Sequence, residues 1–287
     1  MSRLLHYWSI DMVSLALIAG LGLLYGVLSH SRLQSGVGLY AAALLLIGLV
    51  QASPLHFLGT HYLFSAHMLG HILLLLVCAP LLVLGLPHEA QGSVVTMLKP
   101  VSIGLQKRPW LGWLIGVGVM WFWHVPVVYE ATLSHDANTA GIPLCTLAGA
   151  SADPWVNGLH LLHPVSLLLA GICFTWPVLG PLPSYRIQPL TGVLYLFTAC
   201  VGCSLLGMLI TFAPVGMYPA YAGYDYSGIG NLIRQEWGID RAADQQMAGL
   251  LMWVPGCFIY LSGVMYLIRQ WLLSDVTPVP TRSANFI

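Results

Sequence analysis

From Phe64 to Leu84 the chain reads FSAHMLGHILLLLVCAPLLVL, twenty-one residues with no Asp, Glu, Lys or Arg. A bilayer core about 30 Å thick needs about 20 apolar residues of helix, so this stretch predicts a membrane span. Two histidines sit near its start. The composition generalises the reading: of 287 residues, 57% are hydrophobic and 7% charged, against the roughly 25% charged of a soluble domain. That excludes a water-soluble fold.

Scanning outward gives seven candidate spans, at about 10–28, 35–52, 64–84, 110–129, 158–179, 189–212 and 247–273. The expectation is one all-α, polytopic transmembrane domain over 1–287, a seven-helix bundle ending in a cytoplasmic tail at 274–287. The N-terminal stretch reads as the first span, not a removable signal peptide, since it lacks a small-residue cleavage site. Cytoplasmic loops retain Lys and Arg. With the N-terminus outside, the inner segments carry Arg32, Lys99, Lys107, Arg108, Arg186, Arg269 and Arg282, and the outer ones Arg3, Arg234 and Arg241. Seven against three predicts N-out, C-in. The inner connections 85–109 and 181–188 read as plain basic linkers.

Ten Lys plus Arg balance ten Asp plus Glu, so no basic field exists to hold nucleic acid. Five cysteines lie in apolar runs and read as free buried thiols, and the CVGC at Cys200 and Cys203 reads as helix packing. No nucleophile triad, phosphate loop or dinucleotide fingerprint appears, which points away from an enzyme.

The histidines carry the chemistry. In the predicted topology His67, His71, His124, His160 and His163 fall at the outer ends of three spans, with His56, His61 and His135 in the adjoining outer loops. His67 and His71 are four apart, so both rings share one helix face. Pro164, directly after His163, suits a first-turn position, which would make His163 a helix cap. Pro126 should kink the fourth span beside His124. A lone histidine near an interface is ordinarily a hydrogen-bonded polar residue, but ionisable groups collected within spans usually serve pathways or cofactors. Imidazole suits Cu, Zn, Fe and Ni, and thioethers favour Cu(I). Met68 and Met252 supply thioethers at the same level. Asp244 either caps its own helix or accepts a hydrogen bond from the N–H of a ligating imidazole, fixing its tautomer and orientation.

The stretches HYLFSAHMLGHILLLLVCAPLLVLGLP, WHVPVVYE, HLLHPVSLLLAGICFTWPVLGP and DQQMAGLLMWVPG, in this order, resemble the multi-span CtaG family of cytochrome c oxidase assembly factors linked to caa-type oxidases. The resemblance implies seven transmembrane helices and a role in maturing the haem–copper oxidase by handling copper. The matching positions are His67, Met68, His71, His124, Pro126, His160, His163, Asp244, Gln245, Gln246, Gly249, Met252 and Trp253. The loop from Ala213 to Ala243 is longer and richer in Tyr than the family pattern, and Pro164 has no counterpart in it.

The expected protein is therefore a non-enzymatic assembly factor of the bacterial cytoplasmic (inner) membrane. It would bind copper, as Cu(I), through His67, His71, His124, His160 and His163. Met68, Asp244, Gln245, Met252, His56 and His61 would be accessory. Its partners would be oxidase subunits, a periplasmic copper donor and the lipid bilayer, with no nucleic acid. Two alternatives stay open: a b-type haem protein, since facing imidazoles also ligate haem iron, and a metal-free scaffold for oxidase assembly.

Overall fold

Apolar helices satisfy every backbone N–H and C=O internally, which is what a chain this hydrophobic must do inside lipid. The computed structural model describes residues 8, 12–29, 36–87, 93–133, 154–219 and 228–276, and all regular elements among them are helical. They are α1 (Met12–Ser29), α2 (Val37–Ala52), α3 (Pro54–His61), α4 (Phe64–Ile72), α5 (Ala79–Gly85), α6 (Ser93–Lys107), α7 (Pro109–Trp123), α8 (Pro126–Leu133), α9 (Pro154–Leu179), α10 (Pro189–Phe212), α11 (Ile229–Asn231) and α12 (Arg241–Val276). His135 and the tail beyond 276 lie outside the described residues, as does the side chain of His160.

Four helical stretches are long and apolar enough to cross a membrane: Phe64–Gly85, Leu162–Leu179, Pro189–Phe212 and Arg241–Leu273. Two bent pairs raise the number to six if each is one span, α2 with α3 (46°) and α7 with α8 (74°). The remaining predicted span corresponds to a shorter apolar helix, Ser14–Ser29. Along α10, Leu194, Phe197, Val201, Leu205, Leu209 and Phe212 are all exposed. Their spacing of three or four residues puts them on one helical stripe, the apolar face expected toward lipid.

Within the first long span, α4 passes through a π turn at Leu73–Cys78 into α5. The Ala79 N–H reaches back five residues to Leu74 O, and Pro80, which has no N–H to give, sits in the first turn of α5. At the α7–α8 break Pro126 has the predicted effect. The N–H groups of His124 and Val125 turn back to Trp121 O and Phe122 O instead of continuing the α pattern.

Small residues let the last two long helices touch. A Cβ on Gly207 would lie 2.9 Å from Gly249 O, and one on Gly249 would lie 2.7 Å from Gly207 O. Only glycine at both positions permits that approach.

Two local expectations change. Helix α9 begins at Pro154 and runs through Pro164, so Pro164 is interior and His163 is no cap. Inside an apolar bundle an unwound segment would strand more backbone groups than the one bond that proline removes. The 85–109 connection is not a plain linker either, since α6 occupies most of it. Ser102 on α6 accepts from Trp176 Nε1 at 3.0 Å, and Gln106 donates to the carbonyls of Ser184 and Arg186.

Candidate metal centre

Asp244, in the first turn of α12, accepts from the backbone N–H of Phe64 (2.7 Å) and Ser65 (3.0 Å) and from the Ser65 hydroxyl. Both oxygens thus cap a helix other than its own: the exposed N–H groups and positive dipole end of α4. Neither sequence-derived role, own-helix cap or acceptor for an imidazole, describes this use. The adjacent Gln245 donates its amide to the carbonyls of Ile210 (3.2 Å) and Ala213 (2.8 Å) at the end of α10. One dipeptide therefore serves one helix start and one helix end. Because Asp244 and Phe64 both open their helices, α4 and α12 run parallel from the same level.

That level holds the histidines. His67 and His71 lie one turn apart on α4 with ring centroids 4.6 Å apart, and His163 on α9 stands 5.2 Å from His67 and 4.6 Å from His71. The nitrogens of these three rings lie within 4.8 Å of one another. His124, at the α7–α8 break, is 5.0 Å from His71 by centroids. Three imidazoles from three chain segments thus surround His71, which is 4% exposed.

The second nitrogens show how the rings are held. A carbonyl oxygen can only accept, so a ring nitrogen facing one carries the proton and leaves the other bare in neutral imidazole. His67 bonds the Gly59 backbone, and its Nε2 is buried with no partner. His124 gives Nδ1–H to Met120 O, so its bare Nε2 faces Met68 Sδ at 2.9 Å. An imidazole nitrogen and a thioether sulfur, both able to ligate a metal, thus stand side by side. This is the arrangement of metal-ligating histidines, whose other nitrogen donates to a carbonyl that fixes tautomer and direction. His71 and His163 meet through their Nε2 atoms at 2.6 Å, one proton between two nitrogens.

Supporting contacts come from residues the sequence did not single out. A Cβ at Gly59 would sit 2.8 Å from the His67 backbone nitrogen, so glycine is what lets α3 lie against α4. Trp123 donates to Ser166 Oγ at 2.8 Å, and Ser166 in turn donates to His163 O at 2.9 Å. Tyr129 stands edge-on to His67 at 5.1 Å. Tyr218 donates to His124 O at 3.0 Å; burial pushes its phenol up to about 12, so it remains a donor. Such partners are scattered over the chain and carry no motif.

A cleft of about 80 Å³ opens on the cluster, lined by His56, His67, His71 and His163 among others. His56 therefore reaches the site. His61 is absent from that lining, its Nδ1 being near Thr60 Oγ1 and Phe57 O and its ring stacked on Phe57. Met68 and Met252 are buried beside the cluster, at 0% and 1% exposure.

The sequence model of one family, cytochrome c oxidase caa3 assembly factor (Caa3_CtaG), matches residues 24–156 and 156–274. Among curated proteins and among solved structures, none matches the chain.

Proposed function

The chain belongs to the cytochrome c oxidase caa3 assembly factor family, and from that premise we propose that it binds copper as cargo at the histidine cluster and delivers it to an oxidase subunit. The bare Nε2 of His124 facing Met68 Sδ is the observation that carries the reading. A mixed imidazole and thioether set favours Cu(I) over harder ions. The bare Nε2 of His67 and the paired Nε2 atoms of His71 and His163 complete a set one ion can draw on, with His160 on the same turn of α9 as His163. His56 at the cleft mouth serves as a first contact for arriving copper. Asp244 and Gln245 act from behind, fixing the helices that present these rings.

The membrane is the bacterial cytoplasmic membrane, crossed seven times with the N-terminus outside and the C-terminus inside. Supporting this, α4 and α12 begin at the level where α7 ends, and α9 passes that level at His163. The cluster then faces the periplasmic side, where a copper donor and the growing oxidase can reach it. The role is carriage and transfer, not catalysis.

A haem b reading is less well supported. Axial imidazoles need a macrocycle between them, whereas His71 and His163 are 2.6 Å apart. A cleft of about 80 Å³ is far below the roughly 300 Å³ at which small-molecule sites begin.

Cells that depend on this protein test the proposal. With His67→Ala or His163→Ala in place of the native chain, membranes should keep the protein but hold oxidase depleted in copper and low in activity. Fully copper-loaded oxidase in both strains would overturn it.

A further inference from the structure

Below the histidine cluster lies a second, smaller cavity of about 10 Å³, lined by His71, Ile72, Leu75, Leu76, Met120, Leu167, Cys203 and Met252. That is about the smallest space that holds a single water, and an apolar hole of this size stays dry. Its heteroatom-bearing side chains are one imidazole, two thioethers and one thiol, from α4, α7, α10 and α12. His71 lines both cavities. Its Nε2 is engaged with His163 on the upper side, while its Nδ1 is buried with no hydrogen-bond partner.

The depths agree. Met252 lies eight residues beyond Asp244 and Ile72 seven beyond Ser65, and Asp244 binds Ser65. At 1.5 Å per residue both positions fall about 10–12 Å along parallel helices from that contact, one layer below His67. Cys203 is 1% exposed and donates its Sγ proton to Met252 O at 3.3 Å, which brings thiol and thioether residue together at the cavity wall.

We propose that His71, Met120, Met252 and Cys203 form a second, deeper site for a soft monovalent cation, Cu(I); His71 offers its Nδ1 to this site and keeps its Nε2 proton toward His163, so the outer ion is held by the other histidines when both sites are filled. The two thioethers favour Cu(I) over Zn(II), which has no strong thioether chemistry. Cu(I) replaces the Cys203 proton, which is released to solvent, and the resulting cation–thiolate pair is neutral. Neutrality keeps the cost of burying the ion low. The inference rests on the copper reading above and extends it: the outer site receives the ion and the inner one stores it.

The test uses the full chain without a polyhistidine tag in mild detergent, with Ag(I) as a redox-silent probe of Cu(I) sites and Zn(II) as the contrasting ion. Wild type should bind two Ag(I) and one Zn(II) per chain. The volume-conserving double variant M120L/M252L should fall to one Ag(I) and keep its Zn(II), and Cys203→Ser should also fall to one Ag(I). Two Ag(I) retained by both variants, or one Ag(I) in wild type, overturns the inner site and leaves the outer one standing. In His67→Ala/His163→Ala the Zn(II) should be lost and one Ag(I) kept. Unchanged Zn(II) in that variant counts against the outer cluster alone.

Discussion

Asp244 and Gln245 are neighbours in sequence that serve opposite helix ends, an acceptor given to the N–H groups of α4 and a donor to the carbonyls closing α10. Each matches the polarity of its partner. Asp244→Ala would leave two buried N–H groups and a hydroxyl unpartnered, at about 1–3 kcal/mol for each unsatisfied group. The variant should show a clearly lower thermal midpoint in detergent and lose metal from the histidine cluster. An unchanged midpoint would show that water or another side chain caps α4. Only half of this residue-scale picture could be read from the sequence. The spacing of His67 and His71 announces a shared face, but the partner of Asp244 lies 180 residues away, and no local pattern encodes it. The carbonyls of Gly59 and Met120 that fix two imidazoles are invisible for the same reason: a backbone acceptor carries no residue signature.

At the scale of elements, breaks in helices place the site. Pro126 turns the fourth predicted span through 74° and leaves His124 at the corner, as the sequence indicated. Proline did not decide the start of α9, where continuity of the helix outweighs one lost bond. The π turn after His71 and the helix α6 were not legible; α6 has Pro100 in its interior and three cations in or just after it, a pattern that reads as linker until packing on Trp176 is seen. Close approach makes a sharper prediction. Gly59→Ala sets a methyl 2.8 Å from the His67 nitrogen, which must push α3 from α4 and release the Gly59 contact to His67. Metal content should drop severalfold with normal membrane insertion. Full metal content would mean that His67 is oriented by something else. For Gly249→Ala, facing Gly207 and Thr211 at 2.7 and 2.6 Å, the expected damage is to stability, read as a lower unfolding temperature with the protein still inserted.

For the whole molecule, composition alone excluded a soluble fold, and the helices agree, with four clear membrane-capable stretches and up to six with the bent pairs. The starts of α4 and α12 and the end of α7 meet at one level, where α9 presents His163 from its interior. In the proposed orientation, which rests on the excess of Lys and Arg in the other set of loops, that level is the outside. Reporter fusions should therefore show position 287 in the cytoplasm and the 213–228 segment outside, and the reverse pattern would move the histidine cluster to the wrong face for a periplasmic donor. The claim on which everything else depends is that these histidines hold copper. Elemental analysis of the untagged, copper-loaded protein, wild type beside His67→Ala/His163→Ala, measures it directly. The account predicts at least one tightly held copper per chain with little iron in the wild type, and a loss of about one copper in the variant; equal copper in the two proteins, or iron with a Soret band in place of copper, would contradict it.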